Sequence, residues 1–131
     1  MDQMSLTPCA CQYQFYVNDG KLTCQMYQRS ADMFLGNPFN ITSSSLLTYI
    51  LAKYSGLEPE RLIICLGDAH IYESHIDAVN EQLNRKSRPF PILRIGDDNG
   101  KIPDKIEDLE YKHLKLIGYE PYPSIKAKMI A

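Results

Sequence analysis

Gln12-Tyr13-Gln14-Phe15-Tyr16-Val17, then Asn18-Asp19-Gly20, then Lys21-Leu22-Thr23-Cys24-Gln25-Met26-Tyr27, sets a turn signal between two alternating runs. Asp19-Gly20 predicts a hairpin here, because both residues accept the positive φ that a tight turn between strands demands. Successive side chains of a strand point to opposite sides, so Leu22, Cys24 and Met26 fall on one face and Thr23, Gln25, Tyr27 and Arg29 on the other. One face is apolar and the other is wet or functional.

Outward from the hairpin, a loop holding Gly36 and Pro38 leads to a helix expected from Asn40 to Tyr54, with Leu46, Leu47, Ile50, Leu51 and Tyr54 at helical spacing. Asn40 or Thr42 would cap it and Gly56 would stop it. The segment carries almost no charge, which predicts burial on most sides. Leu62-Ile63-Ile64-Cys65-Leu66 is an unbroken apolar run, as expected of a strand covered on both faces, and it empties into Gly67-Asp68-Ala69-His70-Ile71-Tyr72. A second helix is expected from about His75 to Arg85, with Ile76, Val79 and Leu83 inward and a Glu81 to Arg85 pair outward. Phe90 to Ile95 reads as a strand, Gly96 to Lys101 as a polar turn, and Ile125 to Met129 as a terminal strand.

Bulk properties narrow the class without naming a partner. The chain's 131 residues suit one domain, and 44% hydrophobic with 23% charged residues is a globular composition. A net charge of −2 gives no basic field for nucleic acid or anionic lipid, so nucleic-acid binding is not expected. No stretch is long and apolar enough to cross a bilayer and no secretory signal is visible, which leads us to expect a soluble, cytoplasmic protein without a membrane role. Cys9, Cys11, Cys24 and Cys65 are read as free thiols in such a reducing compartment.

Cys9 follows Pro8 at the entry to the first strand, where a thiol can be held at a surface. Nearby positive charge favours the reactive thiolate, and Arg29 lies across the hairpin. Cys11 and Cys24 have the ordinary reading of small thiols in strands, and Cys65 that of core. Zinc held by Cys9, Cys11, His70 and His75 is not expected, since no Cys-x-x-Cys pair exists and the two histidines are wrongly spaced for one helix face; the metal expectation is none. Gln28-Arg29-Ser30-Ala31-Asp32 packs an amide, a guanidinium, a hydroxyl and a carboxylate into one strand end. Arg29 with Ser30 suits a phosphate, against the plainer reading of a solvated Arg-Asp pair. His70 and Tyr72 share one side of the backbone, as two hydroxyl-binding groups or as two satisfied polar side chains.

Together these pieces resemble the signature of thymidylate synthases: Thr7-Pro8-Cys9, Tyr27-Gln28-Arg29-Ser30-Ala31-Asp32-Met33, Leu35-Gly36-Asn37-Pro38-Phe39-Asn40, Gly67-Asp68-Ala69-His70-Ile71-Tyr72 and Arg88-Pro89-Phe90-Pro91. The resemblance runs from about Met4 to the last residue and implies an α+β fold, the mixed-sheet, layered fold of that family, of which residues 1–131 would be the C-terminal half. It further implies a homodimer that converts deoxyuridylate (dUMP) to thymidylate (dTMP), with 5,10-methylenetetrahydrofolate giving both the one-carbon unit and the hydride. Cys9 would attack pyrimidine carbon 6. Gln28, Arg29, Ser30, Asp32, Asn40, His70 and Tyr72 would bind the nucleotide: Arg29 and Ser30 the phosphate, Asn40 the pyrimidine edge, His70 and Tyr72 the 3′-hydroxyl. Asp32, Gly36, Phe39 and the carboxylate of Ala131 would border the folate, the last as a closing lid.

Two departures stand out. The family usually has His after the nucleophile, and here Ala10 stands there. The family's upstream half supplies a further phosphate-binding arginine, a glutamate for proton transfer, tryptophan and asparagine near the folate, and the arginines that cross the dimer; this chain has no Trp. The expectation is therefore a fragment or truncated product, inactive alone, with a missing upstream segment or a reductase fused to it. Two rivals remain open: a deoxycytidylate hydroxymethylase-like enzyme, against which Asn40 speaks because that class carries Asp there, and a non-catalytic remnant binding nucleotide, protein or RNA.

Overall fold

The computed structural model describes residues 7–130. The chain divides into two compact units, Met1–Val79 with Ala127–Ala131, and Asn80–Lys126.

The first unit begins with the hairpin. β1 (Ala10–Asn18) pairs antiparallel with β2 (Lys21–Asp32), Asn18 opposite Lys21, across the two-residue turn. Asp19 has φ 48° and Gly20 φ 74°, the left-handed pair that such a turn requires. Leu22, Cys24 and Met26 are buried as their alternation predicted, and Gln28 continues the same buried face. A third, helix-linked strand then completes the sheet: α1 (Gly36–Tyr54) crosses over to β3 (Glu58–His70), which runs parallel to β2. The result is a three-stranded mixed sheet in the order β1-β2-β3.

α1 starts four residues before the sequence reading placed it. Gly36 and Pro38 look like loop residues, yet proline is at home in a first helical turn, where its missing N–H would have had no partner. Neither Asn40 nor Thr42 caps the helix; the Asp32 carboxylate accepts the Phe34 and Leu35 N–H groups at 3.0 and 3.2 Å just ahead of it. At the far end Gly56 has φ 65°, its N–H reaches Lys53 O, and Leu57 N–H reaches Ala52 O, the two bonds of a Schellman stop. The buried face is not the leucine face. Asn37, Ser44, Thr48 and Ala52 are the buried residues, while Leu46, Leu47, Ile50 and Leu51 are half-buried. Small side chains let the helix lie close on the sheet, with the Ser44 hydroxyl 3.3 Å from Tyr13 Oη and Thr48 Oγ1 donating back to Ser44 O at 2.8 Å.

β3 is longer than its apolar run because pairing with β2 continues to Asp32 opposite His70. It is an edge strand, half-buried over residues 62–66, so Cys65 is half-buried and not core. Cys11, on the outermost strand, is exposed. The last segment, expected as a strand over Ile125–Met129, has no regular structure; the Lys128 carbonyl is taken by a histidine side chain instead of a neighbouring strand. The division between the units falls inside α2 (Ile76–Asn84), where Ile76 and Leu83, expected inward, are exposed.

In the second unit β4 (Ile92–Ile95) pairs antiparallel with β5 (Leu114–Ile117), a strand that the sequence reading did not find. Asp97 organises the turn after β4, its Oδ1 accepting the Asn99 and Lys101 N–H groups at 2.9 Å each. Arg85 and Arg88 donate to the carbonyls of Pro123 and Glu120, and the Tyr122 ring lies against both guanidinium groups, at 5.5 and 4.0 Å. Among the described residues no helix is long and apolar enough to cross a membrane.

Candidate functional site

β2, α1 and β3 form a strand–helix–strand unit with parallel strands, and polar residues collect at one end of it. Ser30 lies opposite Asp68 and Asp32 opposite His70 at the carboxyl ends of the two strands, and α1 opens four residues beyond β2. Backbone groups run out of partners where parallel strands end, and this is the edge at which ligands gather in such sheets.

The first cluster joins the chain's start to β2. The Arg29 N–H donates to Cys9 O at 2.9 Å, and its guanidinium reaches back over the same segment, Nε to Pro8 O at 3.1 Å and Nη2 to Thr7 O at 2.5 Å. Cys9 is half-buried, neither sealed in hydrocarbon nor fully bare. The guanidinium is thus held on the short stretch of backbone that bears the Cys9 thiol, twenty residues earlier in the chain. Arg29 and Ser30 are both half-buried.

A second cluster surrounds His75, which the sequence reading treated only as an unsuitable zinc ligand. His75 is fully buried; its Nε2 is 2.8 Å from Lys128 O, and its Nδ1 faces the Asp32 carboxylate at 4.0 Å, too far for a hydrogen bond. Rings continue outward from it. Phe34 lies 5.5 Å on one side and Tyr72 5.5 Å edge-on, and Tyr72 in turn meets His70 at 5.0 Å. His70 and Tyr72 therefore do share a side, and they join Asp32 through His75. His70 Nδ1 lies 3.3 Å from Asp68 Oδ2 but is poorly angled, which leaves that nitrogen without a hydrogen bond among the described residues. Nothing in a Glu-Ser-His stretch marks its histidine as buried, since Phe34, Asp32 and the Lys128 carbonyl, which lie against it, are all distant in sequence.

The remaining candidates are dispersed around this edge. Gln28 is on the α1-covered face, opposite to Arg29; its Nε2 donates to Ser30 O at 2.7 Å while its buried Oε1 has no partner among the described residues. Asn40 is half-buried on the second turn of α1, Gly36 begins that helix, and the Phe39 ring is 75% exposed. Asn37, buried with its Oδ1 unpartnered among the described residues, is a further polar group that sequence reasoning passed over. Ala131 lies outside the described residues. Among the described residues no group of three or more His, Cys, Asp and Glu side chains could hold a metal ion. A cavity of ≈ 180 Å³, lined by Ser45, Thr48, Tyr49, Pro59, Glu60, Arg61 and Leu62, is at the amino end of β3, away from all of these groups, and we give it no part in the chemistry.

Comparison with known proteins adds two findings. The family model described as thymidylate synthase matches residues 1–131. A thymidylate synthase of Staphylococcus haemolyticus (strain JCSC1435) is 50% identical over 127 residues, which are 97% of this chain and 38% of that protein. The chain thus spans less than two fifths of the relative it matches.

Proposed function

The chain belongs to the thymidylate synthase family, and on that premise we propose that the whole protein converts deoxyuridylate to thymidylate in the cytoplasm and that residues 1–131 are the part carrying the nucleophile. The observation that carries this reading is the Arg29 tether: three hydrogen bonds, to the carbonyls of Thr7, Pro8 and Cys9, bring a guanidinium to the stretch that bears the thiol. Cys9 adds to carbon 6 of the pyrimidine, and the ring becomes an enolate that is nucleophilic at carbon 5. Arg29 and Ser30 hold the 5′-phosphate. Two of the five guanidinium N–H groups are committed to carbonyls, and three have no partner among the described residues. Gln28 fixes the Ser30 carbonyl from behind.

Asn40 pairs with the uracil edge, because a side-chain amide can accept from the ring N–H and donate to a ring carbonyl. His70 and Tyr72, already in edge contact, take the 3′-hydroxyl. 5,10-Methylenetetrahydrofolate, when bound, supplies the one-carbon unit and the hydride. The residues fit one wall of its site: Phe39 offers an exposed flat ring, Gly36 brings backbone close and Asp32 gives a carboxylate, and we assign the Ala131 carboxylate the part of a closing lid. The face of the sheet opposite α1 exposes Tyr16 and Tyr27, which favours a homodimer.

The test is covalent trapping with 5-fluorodeoxyuridylate and methylenetetrahydrofolate, read by mass spectrometry. The 131-residue chain alone should give no adduct, and the chain joined to a complete upstream half should give one on Cys9. An adduct on another cysteine, or none from the completed protein, overturns the reading.

A further inference from the structure

The start of β1 carries a second thiol with no part in the chemistry above. The β1–β2 register slips between Ala10 and Gln12, a β-bulge that leaves Cys11 without a partner in the ladder. Cys11 is exposed, and its sulfur turns back along the chain, Sγ lying 3.5 Å from Cys9 O. That same carbonyl accepts the Arg29 N–H, so the peptide to which Cys11 points is fixed from the other side.

We propose that Cys9 and Cys11 are a reversible redox pair, oxidised by hydroperoxides to an intramolecular disulfide. Reach permits the bond. Two residues at full extension span at most roughly 6.6–7.2 Å between Cα atoms, a disulfide needs about 4.4–6.8 Å, and a bulge contracts the strand at this point. The guanidinium held on the Cys9 segment, and not exposure, sets the order of events. The Cys9 thiolate attacks the peroxide, forming an S–O bond as the O–O bond breaks; the sulfur is oxidised by two electrons to a sulfenic acid, and hydroxide leaves and takes up a proton as water. Cys11 then loses its proton and attacks the Cys9 sulfur. The S–S bond forms, the S–O bond breaks, and the hydroxide released departs as a second water. An external dithiol reverses the step by exchange. Cys24, fully buried, is beyond reach of either partner's reagent and serves as an internal control.

The pair follows from the hairpin geometry alone; its consequence, that oxidation silences the nucleophile, rests on the proposed function. The experiment treats the 131-residue chain with hydrogen peroxide, caps free thiols in denaturant with iodoacetamide, and digests with trypsin, which leaves Cys9 and Cys11 in the peptide ending at Lys21. The expected product is that peptide uncapped and about 2 Da lighter than its dithiol form, restored by dithiothreitol, with Cys24 capped. In Cys11→Ser the sulfenic acid has no resolving thiol, and Cys9 should advance to the sulfinic acid that the unsubstituted chain does not form. Sulfinic acid at Cys9 beside a capped Cys11 in the unsubstituted chain overturns the proposal, as does a disulfide to Cys24 or Cys65 or between chains. If the disulfide forms but the reduced, completed protein traps no nucleotide, the pair stands and the proposed function falls.

Discussion

Gly67→Ala should loosen the sheet where the candidate site is assembled. A Cβ at Gly67 would lie 2.7 Å from the Arg29 carbonyl oxygen, 3.3 Å from its carbon and 3.2 Å from Tyr27 Oη. The nearest atom is strand backbone, which cannot swing aside as a side-chain tip can, so β2 and β3 must part by several tenths of an ångström. Inserting one methyl into packed surroundings costs about 1–3 kcal/mol, and the stiffer unfolded chain returns roughly 0.4–1 kcal/mol. A net loss of about 1–2 kcal/mol is a five- to thirtyfold drop in the folded-to-unfolded ratio. Gly36→Ala is the matched control: its Cβ would sit 3.5 Å from Asp32 Cβ, an ordinary contact, in a helical turn where alanine is favoured by up to about 1 kcal/mol. Urea unfolding at fixed protein concentration, followed by the fluorescence of the nine tyrosines, reads both. The midpoint should fall by roughly 0.5–1.5 M for Gly67→Ala and stay or rise for Gly36→Ala. Equal shifts for the two variants would refute the close-approach reasoning.

Three further outcomes are expected. The chain should self-associate through the sheet face opposite α1, and Tyr16→Lys, at a position 64% exposed, should weaken this in sedimentation velocity; a monomer at every concentration would remove the basis for the dimer. Asp32→Ala should cost about 1 kcal/mol by orphaning the Phe34 and Leu35 N–H groups, with Asp32→Asn recovering much of it, and faster amide exchange at both positions in the alanine variant alone is the reading to look for. The Lys115 ammonium, hydrogen-bonded to the exposed Asp98, holds that carboxyl below its ordinary 3.8. A depressed carboxyl adds stability above its unfolded value and loses it as the pH falls from about 3.8 through the folded one. An NMR titration of Asp98 should therefore move up toward 3.8 in Lys115→Met, and an unmoved curve would show that the pair is not the cause.

Local chemistry was legible wherever neighbouring residues determine the structure. Asp19-Gly20 dictated the turn, and the alternation of Leu22, Cys24 and Met26 dictated the buried face, because both depend on a few adjacent residues. The run from Gln28 to Asp32 was legible as polar residues at a strand end, but its side chains divide between the two faces of the sheet. What escaped depends on distant partners. α1 buries Ser44, Thr48 and Ala52 because small residues allow close approach to the sheet, whereas a reading by hydrophobicity alone puts the leucines inward. His75 takes its place from Lys128, fifty-three residues on, and β5 exists only by pairing with β4 across the loop around Asp97. Five separated motifs identified the family more firmly than any periodicity did, yet they could not reveal the bulge at Cys11.

The Arg29 tether bears on how a nucleotide would be received. A guanidinium that waited in water for a phosphate would lose side-chain freedom on binding, about 2 kcal/mol for a long cationic chain. Here the fork is already fixed by Thr7 and Pro8, so much of that loss is incurred on folding. The carbonyls also set the direction of the charge, toward the segment that ends in Cys9. Arg29→Lys keeps the charge but lacks the planar fork, and cannot hold two carbonyls while offering a paired face to a phosphate. Ordering the strand entry and, under the proposed function, meeting an anion would therefore rest on the same planar fork. Gln28 and Ser30 fall two residues apart on the same strand, where the Gln28 amide braces the Ser30 carbonyl.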